Sequence, residues 1–336
     1  MFYFRKHTIL QSSMSKIVTN YEIDCALSFK IMNSKSLSIR LLVKFEKVRR
    51  IMTVYLVLKQ VPDVPIEADM ITPTAFAGKT LEQIGKLEVM QGSHSCELRD
   101  FFEIKGEPTD TVDNTEIVLN GDLRKVKLIG KGMNGGRIKI EGDVGMHLGA
   151  EMIAGRITVT GSVDAWAGAE MSGGNIQIEG NAGDYLCAGY RGTPDGMSGG
   201  RVFVAGNVGK EMALHMRKGF IAVKGDIAEM AAVRMRGGSI MVCGELGPRA
   251  CIEASKGMVI ALGKVNSLPP TFKYSGTSER EFTGYYIRYL KSRRPDFIGS
   301  DIPFSEKWVK YVGDFAEVES KTEIYTRLNL NPHLES

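Results

Sequence analysis

The sequence predicts an all-β chain: a right-handed parallel β-helix of about seven rungs on a 19-residue repeat, with small α/β caps at both ends. Three observations carry that expectation. Glycines recur at Gly136, Gly155, Gly174, Gly200, Gly219, Gly238 and Gly257, spaced 19, 19, 26, 19, 19 and 19 residues apart. Each opens a phrase whose third and fifth positions are Ile or Val, with Ala261 the one small exception. Of the 38 glycines in 336 residues, 29 fall between Gly130 and Gly263, where such a repeat needs its turns.

Residues 1–51 read as a basic extension. The first fifty hold ten Lys or Arg against three Asp or Glu, a balance of +7. The whole chain is +4, so the remaining 286 residues carry −3. A basic tail for nucleic acid or anionic lipid, a transit peptide, and a poorly ordered extension upstream of a natural start at Met52 all stay open. The last is preferred, because ordered-looking sequence begins abruptly at Thr53. A secretory signal does not fit, since Arg5, Lys6 and His7 interrupt the apolar stretch Phe2–Leu10.

Residues 52–120 read as an N-terminal cap. Ile51–Leu58 has strand character, a Pro-rich turn follows, and a short helix is expected near Thr80–Lys86. Such a cap covers the open end of a coil, where backbone groups are otherwise unpaired.

Residues 121–265 read as the glycine-repeat β-helix. Ile138/Ile140, Ile157/Val159, Ile176/Ile178, Val202/Val204, Ile221/Val223 and Ile240/Val242 alternate with polar or variable residues. That is the period of a short strand with one buried face. A column thirteen residues after each mark stays small: Gly149, Gly168, Cys187, Ala213, Ala232, Cys251. Small residues in a fixed column mark close approach of backbone layers. After each closing glycine stands a turn-forming residue: Asp143, Ser162, Asn181, Asn207, Asp226, Glu245. One five-residue strand cannot bury its face alone, but stacked repeats spaced by about 4.8 Å can. The single long spacing carries seven extra residues near Arg191–Met197. Glycine density and strand alternation exclude a helical solenoid. The sequence Val144, Ala150, Arg156 breaks a left-handed hexapeptide helix. The right hand follows from the bias of parallel crossovers.

Residues 266–336 read as a C-terminal cap and tail. The pattern stops at SLPP, a helix is expected over Glu281–Arg293, and Trp308–Val312 packs as part of the cap.

No catalytic, cofactor-binding or metal-ligating residue emerges from the sequence. Five histidines form no metal-binding pair, and His147 and His215 fall in different columns. Five scattered cysteines contain no CxxC, which argues against a disulfide framework or structural zinc and suits a reducing cytoplasm. No apolar run reaches the length of a membrane span. Glu151 and Glu170 stack on adjacent rungs; a partner-facing ladder is a better reading than an acid/base dyad, because His215 and Arg234 continue the column. Trp166 and Tyr185 share another column and could stack as a docking patch, with Arg191 beside them in the insertion. The chain therefore reads as a scaffold or interaction subunit.

The repeat block resembles one family specifically. GDVGMHLGAEM, GSVDAWAGAEMSGG, GNAGDYLCAGYRG and MSGGRVFVAGNVG look like the C subunit of formylmethanofuran dehydrogenase, as do VPIEADMITPTAFAGKTLEQI and LRDFFEIKGE. The resemblance covers roughly residues 52–318. The glycine repeat alone is shared with the C-terminal domain of the glutamate synthase large subunit; the leading segment and the GYRG insertion favour the dehydrogenase. The resemblance implies a non-catalytic β-helical subunit of a complex that reduces CO₂ and attaches it to methanofuran, the reversible first step of methanogenesis. It implies a pterin- and iron–sulfur-bearing formate-dehydrogenase-like partner with molybdenum or tungsten, and an amidohydrolase-like formyl-transferring partner with zinc. No cofactor is implied on this chain, and neither nucleic acid nor membrane is an expected partner. Related methylotroph complexes use a similar subunit in a formyltransferase/hydrolase, which stands as the alternative. A free-standing carbohydrate-active β-helix would require clustered carboxylates and a secretion signal, and neither is present.

Overall fold

The computed structural model describes residues 51–279, 281–299 and 306–335. Residues 1–50, the bulk of the basic extension, lie outside the described residues. The described chain is mostly β, with one large open sheet and one small one.

The chain opens with β1 (Met52–Leu58), whose inward Val54 and Leu56 are buried, and β2 (Ile66–Glu67). Two short helices follow, α1 (Pro73–Phe76) and α2 (Leu81–Gly85). Thr72 caps α1 by accepting from Ala75 N, with Pro73 in the first turn. Thr80 and Gln83 close a reciprocal capping box on α2, where a short helix was expected. Then come β3 (Glu88–Gln91), β4 (His94–Glu97), α3 (Leu98–Phe101), β5 (Phe102–Gly106), β6 (Thr115–Asn120) and β7 (Val126–Lys127). Strands β4, β3, β2 and β7 form the small sheet.

The repeats contribute β8 (Asn134–Glu141), β9 (Ala154–Val159), β10 (Asn175–Ile178), β11 (Arg201–Val204), β12 (Phe220–Val223), β13 (Arg236–Val242) and β14 (Lys256–Ala261). The chain ends with β15 (Lys273–Ser278), α4 (Glu281–Arg293), β16 (Trp308–Gly313) and β17 (Lys321–Arg327). The large sheet runs β15-β16-β17-β14-β13-β12-β11-β10-β9-β8-β6-β1-β5. From β1 to β17 its ladder is parallel; β5, β15 and β16 are antiparallel.

Ile138, Ile157, Ile176, Val202, Ile221, Ile240 and Val259 stand in one register. A second row runs from Ile140 to Ala261, and both rows are buried. The long spacing leaves this ladder unbroken, because Asn175 pairs with Arg201 and the extra residues leave as a loop. The flanks extend the rows: Val54 pairs with Ile117, Ile117 with Ile138, and Val259 with Ile324. Segments expected only to cap the repeats thus also supply strands to the same sheet.

A second parallel ladder joins Leu123, Val144, Val163, Ala182, Val208, Ile227, Leu246 and Val265. Each N–H donates to a carbonyl of the following repeat, as from Val144 to Ser162 (3.0 Å) and Leu246 to Lys264 (2.9 Å). Val265 has no following repeat, and its N–H donates to Asn331 Oδ1 (2.7 Å). Asn331 is fully buried; its Nδ2 donates to Thr326 Oγ1 (2.7 Å). A side-chain amide stands in for the peptide of a missing layer, which a buried donor requires.

Three repeat columns acquire a physical reason. The turn residues bond to the next layer rather than their own turn: Asp143 Oδ1 accepts from Ser162 N (2.8 Å), and Asn181 Oδ1 from Asn207 N (2.8 Å). From Gly155 onward the mark glycines face a methionine, whereas Gly136 faces Pro73. Gly174 has φ +80°, and a Cβ there would stand 2.6 Å from Met152 Cε. Gly200 repeats the geometry with φ +90° and Met171 Cε. In the small column, Cys187, Ala213, Ala232 and Cys251 are fully buried with left-handed backbone, and a Cβ at Gly149 of the same column would meet Ile157 and Ile176.

The two inward rows and the second ladder enclose one continuous core. A second core lies outside the sheet: Phe203, Ala222, Met241 and Ile260 point outward yet are buried beneath Ile287, Leu290 and Phe297 of α4 and its extension. Ile287 and Leu290, flanked by the partly buried Tyr286 and Tyr289, give α4 the apolar stripe that lands there.

Candidate functional site

Every layer carries left-handed residues that turn side chains outward after the second ladder. His147 (φ 65°), Trp166 (φ 66°) and Tyr185 (φ 63°) occupy one such column, and Glu151 (φ 59°) and Glu170 (φ 54°) the next. For a non-glycine residue this conformation carries a steric cost, so the surrounding stack fixes where these side chains point.

The first column is an aromatic stack. Trp166 and Tyr185 lie 4.3 Å apart between centroids and 8° from parallel. His147 continues the stack, 6.3 Å from Trp166. Tyr190, from the insertion, lies over it, 5.1 Å from Trp166 and 5.6 Å from His147. Its hydroxyl is 2.9 Å from His147 Nδ1. Burial, and then the charge of Lys127, lower the His147 pKa. Burial, joined by the charges of Glu151 and Glu170, pushes the Tyr190 phenol up to about 12. Both groups are thereby held neutral, the state in which a phenol donates to an imidazole nitrogen.

The two glutamates have separate duties. Glu151 lies 3.6 Å from Lys131 Nζ. Glu170 Oε1 accepts from Tyr190 N (3.0 Å) and Thr193 Oγ1 (2.7 Å), which pins the insertion onto the aromatic stack. Arg191 is exposed beside it. The structure therefore brings Trp166, Tyr185, Glu170 and Arg191 to one patch, with Glu151 at its margin.

His147 and Tyr190 also belong to that patch, although the sequence reading does not place them there. His147 stands 19 residues before Trp166, so the column itself was the available signal. Tyr190 lies in the non-repeating insertion, and no period points to it.

Two hydroxyls of the insertion meet a base in this patch, Tyr190 at His147 Nδ1 and Thr193 at Glu170 Oε1, and both contacts hold the insertion on the stack. The buried thiols are poorly suited to attack: burial drives Cys187 far up and Cys251 up to about 12. Among the described residues no group of three or more His, Cys, Asp or Glu is placed to hold a metal ion. No helix among them is long and apolar enough to cross a membrane. What the patch offers is a rigid, half-exposed aromatic surface with charged margins.

Comparison with known proteins bears on who could use such a surface. No family model matches the chain. The chain is 41% identical over 92 residues to the C subunit of tungsten-containing formylmethanofuran dehydrogenase 2 from Methanothermobacter thermautotrophicus, covering 27% of this chain and 34% of that protein. It is 45% identical over 95 residues to the C subunit of molybdenum-containing formylmethanofuran dehydrogenase 1 from Methanosarcina barkeri, covering 28% and 32%. These alignments span about a third of the length of the curated relatives. A chain in the crystal structure of the formyltransferase/hydrolase complex from Methylorubrum extorquens, solved with methylofuran, superposes with a TM-score of 0.72. It is 30% identical, and the match covers 81% of this chain and 98% of that one.

Proposed function

The chain belongs to the family of formylmethanofuran dehydrogenase C subunits, and we propose that it is the non-catalytic scaffold subunit of that dehydrogenase. The complex fixes CO₂ reductively as formylmethanofuran. The structural match across 98% of a subunit-sized chain from a related complex carries this reading, and the curated relatives' names direct it to the dehydrogenase.

In this reading residues 121–265 wind as a right-handed parallel β-helix of about seven rungs, with 52–120 and 266–336 as its caps. Two parallel ladders that advance together by one repeat support it. Chemistry resides on partners: a molybdenum or tungsten pterin and an iron–sulfur cluster on a formate-dehydrogenase-like subunit, and zinc on an amidohydrolase-like one. The complex works in the cytoplasm. Glu151, Glu170, Trp166, Tyr185 and Arg191 face a partner.

The experiment is co-purification on a tag carried by this chain. The expected outcome is a stoichiometric complex containing tungsten or molybdenum that oxidises formylmethanofuran, while the isolated chain neither turns over nor binds metal. A complex without tungsten or molybdenum that releases formate without redox chemistry would instead establish the formyltransferase/hydrolase reading, the activity for which the structural neighbour's complex is named. Trp166 reports on the patch directly: of the two tryptophans, Trp308 is already buried. A fluorescence change on assembly that survives Trp308→Phe and vanishes in Trp166→Phe is expected.

A further inference from the structure

We propose that the outer face of β8–β11 docks an acidic segment of a partner subunit through a column of arginines; the partner's being a subunit rests on the reading above. Arg137, Arg156, Asn175 and Arg201 stand side by side in register on four successive strands. At about 4.8 Å per strand the column is on the order of 14 Å long.

Among the described residues these arginines form no ion pair. The Arg156 side chain makes no hydrogen bond or ion pair among the described residues, and Arg137 Nη1 is buried without a partner. Arg201 Nη1 reaches only the hydroxyl of Tyr289, at 3.4 Å. Of the nearby carboxylates, Glu141 pairs with Lys139 (2.5 Å) and Glu179 with Arg294 (2.7 Å), while Glu116, opposite Arg137 at the β6 end of the column, accepts from Thr53 Oγ1 (3.2 Å) and leaves Arg156 and Arg201 without a carboxylate. Like charges directly opposite on adjacent strands destabilise a sheet. Residues 51–336 carry a net charge of −3, so the column is not a general trait of the chain.

The surroundings fit an extended acidic occupant. Arg156, Asn175 and Arg201 rim a shallow depression of about 500 Å³ floored by Gly155, Gly174 and Gly200. Asn175 Oδ1 is buried there without a partner, and a half-turn of the amide presents two donors instead. Guanidinium forks match carboxylates bidentately. The depression is open rather than enclosed, which suits a chain laid across it better than a small molecule held within it. The same sheet face is apolar under α4 and turns basic where α4 ends, so what covers this half differs in charge from α4.

Two measurements test this. First, a fluorescein-labelled hexaglutamate peptide is titrated against the full chain at low salt by anisotropy. Arg156→Glu with Arg201→Glu is expected to weaken binding by at least about tenfold and the matching lysine pair by less, because lysine keeps the charge but loses the bidentate fork, while Lys139→Ala on the same face changes it little. Unchanged affinity in the glutamate pair, with folding verified by circular dichroism, overturns the proposal. So does tighter binding of inorganic phosphate than of the peptide, which would make this a small-anion site. Second, a photo-crosslinker replacing Thr158 in the purified complex is expected to capture an Asp- and Glu-rich segment of another subunit. Capture of an apolar or basic segment, or of a second copy of this chain, overturns it. Absence of any co-purifying subunit refutes the scaffold reading instead, and the peptide titration still decides the surface.

Discussion

Strands β8–β10 and strands β11–β14 come from one repeat, share one register and bury the same inward rows, yet their outer faces differ in kind. Outward positions of the first group are Arg137, Lys139, Arg156, Thr158, Asn175 and Gln177, all at least partly exposed. The corresponding positions of the second include Phe203, Ala222, Met241 and Ile260, all buried beneath α4. Inward positions answer to the stack, which is the same at every layer. Outward positions answer to whatever lies above that layer. A repeat protein therefore writes its core in the period and its neighbours in the departures from it.

The sharpest way to break this contrast uses two residues that face each other. Gln177 of β10 pairs with Phe203 of β11, one on each side of the boundary. Phe203→Ala is expected to cost about 3–5 kcal/mol, because it empties a site packed against Phe220 and Phe297. Gln177→Ala should stay within about 0.5 kcal/mol. Chemical denaturation of both variants gives the comparison, and equal losses would erase the distinction between the two halves.

Close packing on the inward side can be separated from backbone strain. Gly192 and Gly200 have nearly the same dihedral, φ +92° and +90°. A Cβ at Gly192 would meet nothing within 4 Å, whereas one at Gly200 would meet Met171 Cε at 2.6 Å and the Gly173 carbonyl oxygen at 2.8 Å. Alanine at either position bears the left-handed penalty of about 1–2 kcal/mol. At Gly200 the crowding adds about 1–3 kcal/mol more. If the two losses match, the methionine column is not what fixes the mark glycine. Where the losses differ, Gly200→Ala should cost less in a Met171→Ala background than in the wild type, a coupling that a double-mutant cycle reads, since the truncation opens the space.

The inward architecture was legible because it repeats. The isoleucine rows, the small column and the turn column could all be read from the period, and α4 and α2 formed where a helix was expected. What escaped was of two sorts. Some of it joins layers: the partner of Asp143 is the N–H of Ser162 in the next repeat, and the partner of Gly174 is Met152, neither visible without the stacking register. The rest comes from outside the period. Asn331 ends the second ladder from near the C-terminus, and Tyr190 covers the aromatic column from an insertion. Phe203, Met241 and Ile260 announce a cover by being apolar at outward positions, a signal lost when those positions are grouped as variable.

The smallest expected effect repeats the contrast of covered and bare on a second surface. In the aromatic column His147, Trp166 and Tyr185 lie beneath or beside Tyr190, while Glu211, Met230 and Arg249 continue the same left-handed column without it. The His147 pKa is lowered from its usual 6.5, chiefly through burial, and Tyr190 of the insertion is one of the groups packed against the imidazole. The unfolded chain then binds a proton that the folded chain refuses, so stability falls as pH drops through about 6.5 and levels off below the folded-state value. Between pH 8 and 5, as a bracket around the reference His value of about 6.5, the wild type should lose more stability than His147→Gln. That variant cannot titrate there but keeps a polar group near the Tyr190 hydroxyl. Tyr190→Ala should shrink the same difference while His147 stays in place, because exposure returns the imidazole to its ordinary value. Parallel stability curves for the wild type and His147→Gln would mean that Tyr190 does not shield this end of the column, and that the insertion covers the stack without changing its chemistry.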